Sequence, residues 1–275
     1  MIRDHAQRGP SNRGGGYVTG HSHAVSSPSR HTLRVHGPAG AIDQVRLLDP
    51  SYTVEVTSRT GPHEMHGPGT QPAAATTDLL DLLGTALTVP CGDELDFAVA
   101  LDWYNKVTDN GGPAQWARTD LADLIYRGKY RDKADAVKVQ QVGRAVVGEV
   151  TEFIVAHPLL RRIEAIAAVP GHDGKVLSFG SRLAESVARR RGVQFVRCRC
   201  EKEFRTPAKQ LELDQRAAAL AGLFHSPSEV LGKRVLIIDD VYSSGATAHE
   251  TARALRAAGA VRVVSLAAVR TLRSL

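Results

Sequence analysis

The sequence is poor in aromatic residues, which make up 5% of its 275 positions, and it contains only three cysteines. So few rings argue against a surface that stacks on the bases of single-stranded nucleic acid. Cys91, Cys198 and Cys200 give no disulfide framework, and no Cys or His pair at zinc-like spacing stands nearby. The sequence also lacks an apolar run of membrane-spanning length and the apolar stretch of a signal peptide. We therefore expect a cytoplasmic protein without membrane contact.

The charge balance is basic, with a formal net charge of +6 and a pI near 9.4. Such a balance favours anionic partners, either nucleic acid or a polyphosphate substrate, and does not choose between them. No sequence motif supports nucleic-acid binding. Hydrophobic residues make up 43% of the chain and charged residues 23%, which is typical of a globular protein with one substantial domain.

The N-terminal part of the chain has the composition of an extension. Its first thirty residues are rich in Gly, Ser, Pro, His and Arg, and a similar stretch returns at 59–76. Because such segments bury little apolar surface, we predict that residues 1–76 are mostly disordered or weakly structured. Within them, only the alternating stretches TLRV and YTVEV suggest a short hairpin. Residues 77–275 are predicted to form the folded domain.

Helix and strand patterns alternate over the predicted core, at about 119–270. An amphipathic helix is predicted at Lys133–Ala156, and strands are predicted in AIAAVP, VQFVRC, RVLIID and VRVVSLAAV. The apolar stretch LDFAVALDWY is expected to pack on this core. The alternation predicts an α/β fold with a mostly parallel twisted sheet flanked by helices. Ligands of such sheets bind at the carboxyl ends of the strands, where the loops 170–178 and 239–247 lie.

The segment Val235–Thr247, VLIIDDVYSSGAT, carries the strongest chemical pattern. Its four leading apolar residues do not alternate, which predicts a central strand buried on both faces. Asp239 and Asp240 follow where this strand leaves the core, and small and hydroxyl-bearing residues then lead into a helix. Backbone N–H groups at a helix start bind anions, while carboxylates accept hydrogen bonds from sugar hydroxyls. The pattern therefore predicts a site for a ribose 5-phosphate group.

Other nucleotide-site motifs fit this segment less well. A Walker B strand also ends in acids, but it requires an upstream G-x-x-x-x-G-K-[ST], and here Gly174-Lys175 is followed by Val176. No G-x-G-x-x-G indicates a dinucleotide site. A receiver domain clusters acids near its start and lacks this loop of Ser, Gly and Thr residues.

The segment resembles the signature that binds phosphoribosyl pyrophosphate (PRPP) in type I phosphoribosyltransferases. More narrowly, the region Leu121–Arg270 is similar to the ComF-like (competence-associated) phosphoribosyltransferases, through LIYRGKYR, RTPAKQLELDQRAAALAGLF and GKRVLIIDDVYSSGAT. Two features depart from that family. The sequence has no N-terminal cysteine-rich zinc element, and VPGHDGKVLSFGSRLAE replaces the family's usual loop after the first core strand.

The resemblance implies a Mg²⁺-dependent transfer of a 5-phosphoribosyl group from PRPP to an unknown acceptor. Asp239 and Asp240 would be the catalytic residues that hold the ribose hydroxyls, and no protein residue would bind the metal directly. The residues implied for the 5-phosphate are Val241, Tyr242, Ser243, Ser244, Gly245, Ala246 and Thr247. The residues implied for pyrophosphate are Gly171, His172, Asp173, Gly174 and Lys175.

A charged segment before the helix near Asp214 is interpreted in two ways, as a flexible hood that closes over PRPP or as solvated surface. Its cations are Arg199, Lys202, Arg205 and Lys209. Lys129 and Arg131 are likewise either phosphate contacts or helix-end charges. The function also has an alternative, a non-catalytic PRPP or nucleotide sensor on the same fold that regulates or binds nucleic acid. A homodimer is compatible with both functions.

Overall fold

The computed structural model describes residues 15–57, 62–106, 115–171, 177–202, 212 and 215–272. It confirms the predicted α/β class and the mostly parallel central sheet, and it adds a small antiparallel sheet near the N-terminus. Within these ranges, no helix is both long and apolar enough to cross a membrane.

The first sheet is antiparallel and lies within the range expected to be weakly structured. Its strands are β1 (Gly20–Ser27), β2 (Arg30–His36), β3 (Thr53–Val56) and β4 (His63–Pro68), in the order β1-β2-β4-β3. This sheet corrects the prediction for the described part of residues 1–76. In β2 and β4, buried residues alternate with more exposed ones, and this alternation buries Leu33, Val35 and Met65 in the core. The overall composition, rich in Gly and His, does not reveal this pattern. The suggested hairpin is also wrong, because β2 and β3 each pair with β4 rather than with each other.

The central sheet contains six strands. They are β5 (Leu87–Val89), β6 (Phe97–Trp103), β7 (Ala165–Ala168), β8 (Gln194–Arg197), β11 (Arg234–Tyr242) and β12 (Arg262–Arg270). Their order is β5-β6-β12-β11-β7-β8, and all pairs are parallel except β5 with β6. A separate pair joins β9 (Arg199–Cys200) to β10 (Phe224–His225). Because β11 lies between β12 and β7, its apolar residues face two cores, one on each side of the sheet.

The helices cover both faces of the central sheet. They are α1 (Ala39–Leu48), α2 (Ala74–Leu83), α3 (Asp120–Tyr126), α4 (Ala136–Ala156), α5 (Phe179–Arg191), α6 (Gln215–Leu220) and α7 (Ala246–Ala257). One π-helical turn, Arg127–Arg131, follows α3 directly. Two 3₁₀ turns span Leu160–Arg162 and Ser228–Val230. The predicted helix Lys133–Ala156 begins three residues later than expected because the Asp135 side chain caps it, accepting from the N–H groups of Val137 and Lys138.

A buried hydrogen bond connects helix α1, in the N-terminal part of the chain, to the core of the central sheet. His157 is the C-cap of α4, and its Nε2 atom lies 3.0 Å from Oε1 of Gln44 on α1. Its Nδ1 accepts from the backbone N–H groups of Leu159 and Leu160, so Nε2 must carry the donated proton. Burial lowers the pKa of His157 to about 3, and the ring stacks on Phe97 of β6. The imidazole is therefore neutral, and it joins α1, α4 and β6.

We predict that Gln44→Ala destabilises the whole protein, because it leaves the buried Nε2–H of His157 without an acceptor. The expected loss is about 1–3 kcal/mol in the free energy of unfolding, measured by urea denaturation. Gln141→Ala, on the exposed side of α4, is the matched control and should change the unfolding free energy little. Equal effects of the two substitutions would contradict a structural role for this hydrogen bond.

Candidate functional site

A cleft of about 620 Å³ opens at the carboxyl ends of the parallel strands. This is the edge of an α/β sheet at which ligands bind. The strand β11 delivers Asp239 and Asp240 to the cleft, and the end of β7 contributes Val169 and Pro170. The residues after β6 and β12, Tyr104 and Thr271, form another part of its wall. The strand β11 continues to Tyr242, three residues beyond the predicted strand RVLIID, so both aspartates lie within the strand.

The two aspartates form one acidic centre. The backbone N–H of Asp240 donates to Oδ1 of Asp239 at 2.8 Å. Gly180 lies against the same oxygen, since a Cβ atom at that position would be 3.2 Å from Asp239 Oδ1. Burial and the negative charge of Asp240 together raise the pKa of Asp239 well above its ordinary value, although Lys129 opposes the shift. A small residue at position 180 therefore lets α5 pack closely on the acidic pair.

Lys129 neutralises part of this acidic centre. Its Nζ lies 2.8 Å from Oδ2 of Asp240, and only 27% of the Lys129 side chain is exposed. Burial alone would lower the pKa of Lys129, but the attraction of Asp240 outweighs it and the pKa is raised. This pair could not be predicted from the sequence, because the two residues belong to distant segments. Arg131, by contrast, pairs with Asp123 and Asp132 at 3.9 Å and 3.5 Å.

The loop after β11 leads into the N-terminus of α7 and faces the cleft. Gly245 caps the helix with φ +77°, a left-handed conformation that favours glycine. The Ser244 hydroxyl accepts from the N–H of Ala246 at 3.3 Å. The predicted phosphate-binding residues that line the cleft are Val241, Tyr242, Ser243, Ser244, Gly245 and Thr247, whereas Ala246 does not. The helix dipole and the first amide groups of α7 make this end of the cleft suitable for an anion.

A histidine on the first turn of α7 supports the loop from behind. The Nδ1 atom of His249 lies 3.1 Å from Glu94 Oε2, and its Nε2 atom lies 3.4 Å from the Tyr242 hydroxyl. A Cβ atom on Gly245 would overlap that hydroxyl and lie 3.0 Å from His249 Cδ2. The loop, the tyrosine and the histidine thus pack tightly together. Glu94 precedes β6, so the sequence could not indicate this contact.

The remaining predicted residues are placed only in part. Gly171 lines the cleft, while His172, Asp173, Gly174 and Lys175 lie outside the described residues. Of the predicted hood, Arg199 and Lys202 are exposed and do not line the cleft, and Arg205 and Lys209 lie outside the described residues.

Two arginines that the sequence did not assign to the site do line the cleft, Arg182 on α5 and Arg216 on α6. They are the cations, besides Lys129, that the described residues bring to it. Arg182 lies four residues after Ser178, the N-cap of α5. Only the packing of α5 beside β11 brings it to the cleft.

The carboxylates of the site fit a metal that the ligand helps to hold. Within the described ranges, no group of three or more His, Cys, Asp or Glu side chains could hold a metal ion. Mg²⁺ usually takes one or two carboxylates and completes its shell with water and phosphate oxygens. Asp239 and Asp240 satisfy that requirement, and one oxygen of Asp240 is already engaged by Lys129.

Comparison with protein families gives one match. Residues 176–274, about a third of the chain, match the family model described as the phosphoribosyl transferase domain. The matched range includes α5, β11, α7 and β12, which build most of the cleft. Among curated proteins, none matches the chain.

Several solved structures match parts of the chain at low sequence identity. A phosphoribosylpyrophosphate synthetase from Mycobacterium smegmatis is 20% identical over 47% of this chain and 34% of its own, with a TM-score of 0.32. An adenine phosphoribosyltransferase from Thermoanaerobacter pseudethanolicus is 18% identical over 49% and 83%, with a TM-score of 0.33. One from Leishmania tarentolae is 14% identical over 66% and 94%, with a TM-score of 0.34. The chain thus spans about a third of the synthetase.

We predict that Gly245→Ala abolishes anion binding at the start of α7. The added methyl group would meet the Tyr242 hydroxyl in a backbone conformation that alanine rarely adopts, so the loop must move. Gly192→Ala is the matched control, because Gly192 has φ +65° with no atom within 4 Å of an added Cβ. Both variants should lose about 1 kcal/mol or more of stability. Only Gly245→Ala should also lose thermal stabilisation by millimolar inorganic phosphate, and retention of that stabilisation would contradict the assignment.

Proposed function

We propose that the protein is a phosphoribosyltransferase that transfers the 5-phosphoribosyl group of PRPP to an acceptor. The observation that carries this proposal is the placement of an acidic pair and an open helix N-terminus in one cleft. A ribose 5-phosphate presents hydroxyls at one end and a dianion at the other, which matches the two halves of the cleft. The family-model match over residues 176–274 supports the same function.

Each half of the site has its own task in this proposal. Asp239 and Asp240 accept hydrogen bonds from the ribose hydroxyls and hold the sugar in one orientation. The hydroxyls of Ser243, Ser244 and Thr247 and the first N–H groups of α7 bind the 5-phosphate. Fixing both ends of the donor leaves C1 in a defined position, so that much of the entropic cost of reaction is met on binding.

The reaction breaks the bond between C1 and the pyrophosphate oxygen and forms a bond between C1 and the acceptor. Positive charge develops on the ribose ring, and the carboxylates of Asp239 and Asp240 stabilise it. Bound Mg²⁺ would supply charge neutralisation for the leaving pyrophosphate and would be held mainly by pyrophosphate and ribose oxygens. Arg182 and Arg216 are placed to attract the same polyanion. Gly171, beside the acidic pair at the end of β7, is proposed to meet pyrophosphate through its backbone.

The subfamily, the acceptor site and the cellular location are part of the same proposal. The ComF-like phosphoribosyltransferases are the subfamily that the motifs resemble most. The acceptor would bind beside the segment after β7, of which Val169, Pro170 and Gly171 line the cleft. A cytoplasmic location accords with the three free cysteines.

We predict that PRPP with Mg²⁺ raises the melting temperature of the protein. The double variant Asp239→Asn, Asp240→Asn should lose this shift, because neutral amides form weaker hydrogen bonds to ribose hydroxyls than carboxylates do and carry no charge to attract a metal. The double variant Asp78→Asn, Asp93→Asn removes two exposed carboxylates and is the matched control, expected to keep the shift. Thermal denaturation in millimolar PRPP measures both. No shift in the unmodified protein would refute the ribose-phosphate site.

A second prediction concerns catalysis. With PRPP, Mg²⁺ and a panel of nucleobases and small amines, the protein should release pyrophosphate in the presence of at least one acceptor. Pyrophosphate release is measured with a coupled phosphatase assay, and the Gly245→Ala variant provides the background. If PRPP stabilises the protein and no acceptor supports turnover, the protein is instead a PRPP sensor on the same fold.

A further inference from the structure

The electrostatics of the cleft present a conflict that the proposed site must resolve. A ribose 5-phosphate brings a dianion into a cleft that already holds Asp239 and Asp240. Like charges separated by a few ångströms repel strongly where water is partly excluded. A fixed cation near the carboxylates would therefore lower the electrostatic cost of binding the ligand.

Lys129 supplies such a cation from the protein itself. Its Nζ lies 2.8 Å from Asp240 Oδ2, which is a charge-assisted hydrogen bond of good length. The side chain of Asp240, the partner of Lys129, is only 9% exposed. Because Asp240 also fixes Asp239 through its backbone N–H, the single ammonium group balances a joined pair of carboxylates.

The backbone around Lys129 holds the ammonium group in place. Lys129 lies in the π-helical turn Arg127–Arg131, and such turns are frequent at functional sites. The preceding residue, Gly128, packs so closely on α5 that an added Cβ would lie 2.6 Å from Phe179 Cε2 and 3.2 Å from Val142 Cγ1. The turn is thus clamped between α4 and α5, with Lys129 directed into the cleft.

A metal ion at the same carboxylate would compete with this arrangement. One oxygen of Asp240 is engaged by Lys129, and a divalent cation beside it would be repelled by the ammonium charge. Pyrophosphate, in contrast, brings oxygens of its own for Mg²⁺. The requirement for metal should therefore follow the pyrophosphate group and not the ribose 5-phosphate group.

We propose that Lys129 is a built-in counter-cation, a positioning residue that lets the cleft bind a ribose 5-phosphate group without a metal ion. The proposal rests on the proposed function and deepens it, because it divides the donor into a part held through Lys129 and a part that needs metal. It also assigns a role to the segment LIYRGKYR, which contains Lys129.

The test is isothermal titration of ribose 5-phosphate in EDTA and in Mg²⁺. Unmodified protein should bind with affinities that agree within about twofold in the two buffers. Lys129→Met should weaken binding in EDTA by about tenfold or more, since it leaves buried negative charge uncompensated. Lys129→Arg, which keeps the charge, should retain most of the affinity. Lys138→Met removes an exposed lysine on α4 and is the matched control, expected to bind as the unmodified protein does.

A double-mutant cycle separates this role from a merely structural one. If Lys129 acts by balancing Asp240, Lys129→Met should weaken binding less in the Asp240→Asn background than in the unmodified protein. Circular dichroism establishes that each variant is folded.

The outcomes separate the two proposals. Binding of ribose 5-phosphate only with Mg²⁺, or an unchanged affinity in Lys129→Met, would overturn the role of Lys129 and leave the proposed function standing. Failure of the unmodified protein to bind either ribose 5-phosphate or PRPP with Mg²⁺ would overturn the proposed function itself.

Discussion

The burial of β11 on both faces is the constraint on which the rest of the structure depends. Val235 and Ile237 pack into one core, and Leu236 and Ile238 pack into the other, so the strand is fixed in the middle of the sheet. Polar side chains can follow only where the strand reaches the sheet edge. Apolar packing of the strand therefore sets the position of the acidic pair, and the loop into α7 begins from the end of the same strand.

This position makes charge balance the central problem of the cleft. The acidic pair binds a sugar well and an anion poorly, whereas the start of α7 does the opposite. Lys129 reconciles the two, because an ammonium group 2.8 Å from Asp240 lowers the net charge without removing the hydrogen-bond acceptors. The glycines at positions 128 and 180 serve the same end. Each lets a neighbouring segment approach closely, Gly128 toward Phe179 and Gly180 toward Asp239.

The sequence predicted those features whose causes are local. The strand, the acidic pair and the helix after it are consecutive in the sequence, and the glycine that ends α5, Gly192, directly follows its helix. It could not predict contacts between distant segments, such as Lys129 with Asp240. The sequence also predicted too little regular structure for residues 15–76. Composition describes an average over a segment, whereas the burial of β2 and β4 depends on the alternation of buried and exposed residues along each strand.

The strand β6 connects the packing around α1 to the wall of the cleft. This strand, expected only to pack on the core, runs parallel beside β12 and ends at Trp103, next to Tyr104 in the cleft wall. The face of β6 that carries Phe97 is covered by the same core as α1, and Phe97 stacks on the His157 ring that Gln44 holds. The part of the cleft wall at Tyr104 therefore depends indirectly on packing that includes α1, which lies in the range whose composition predicted little structure.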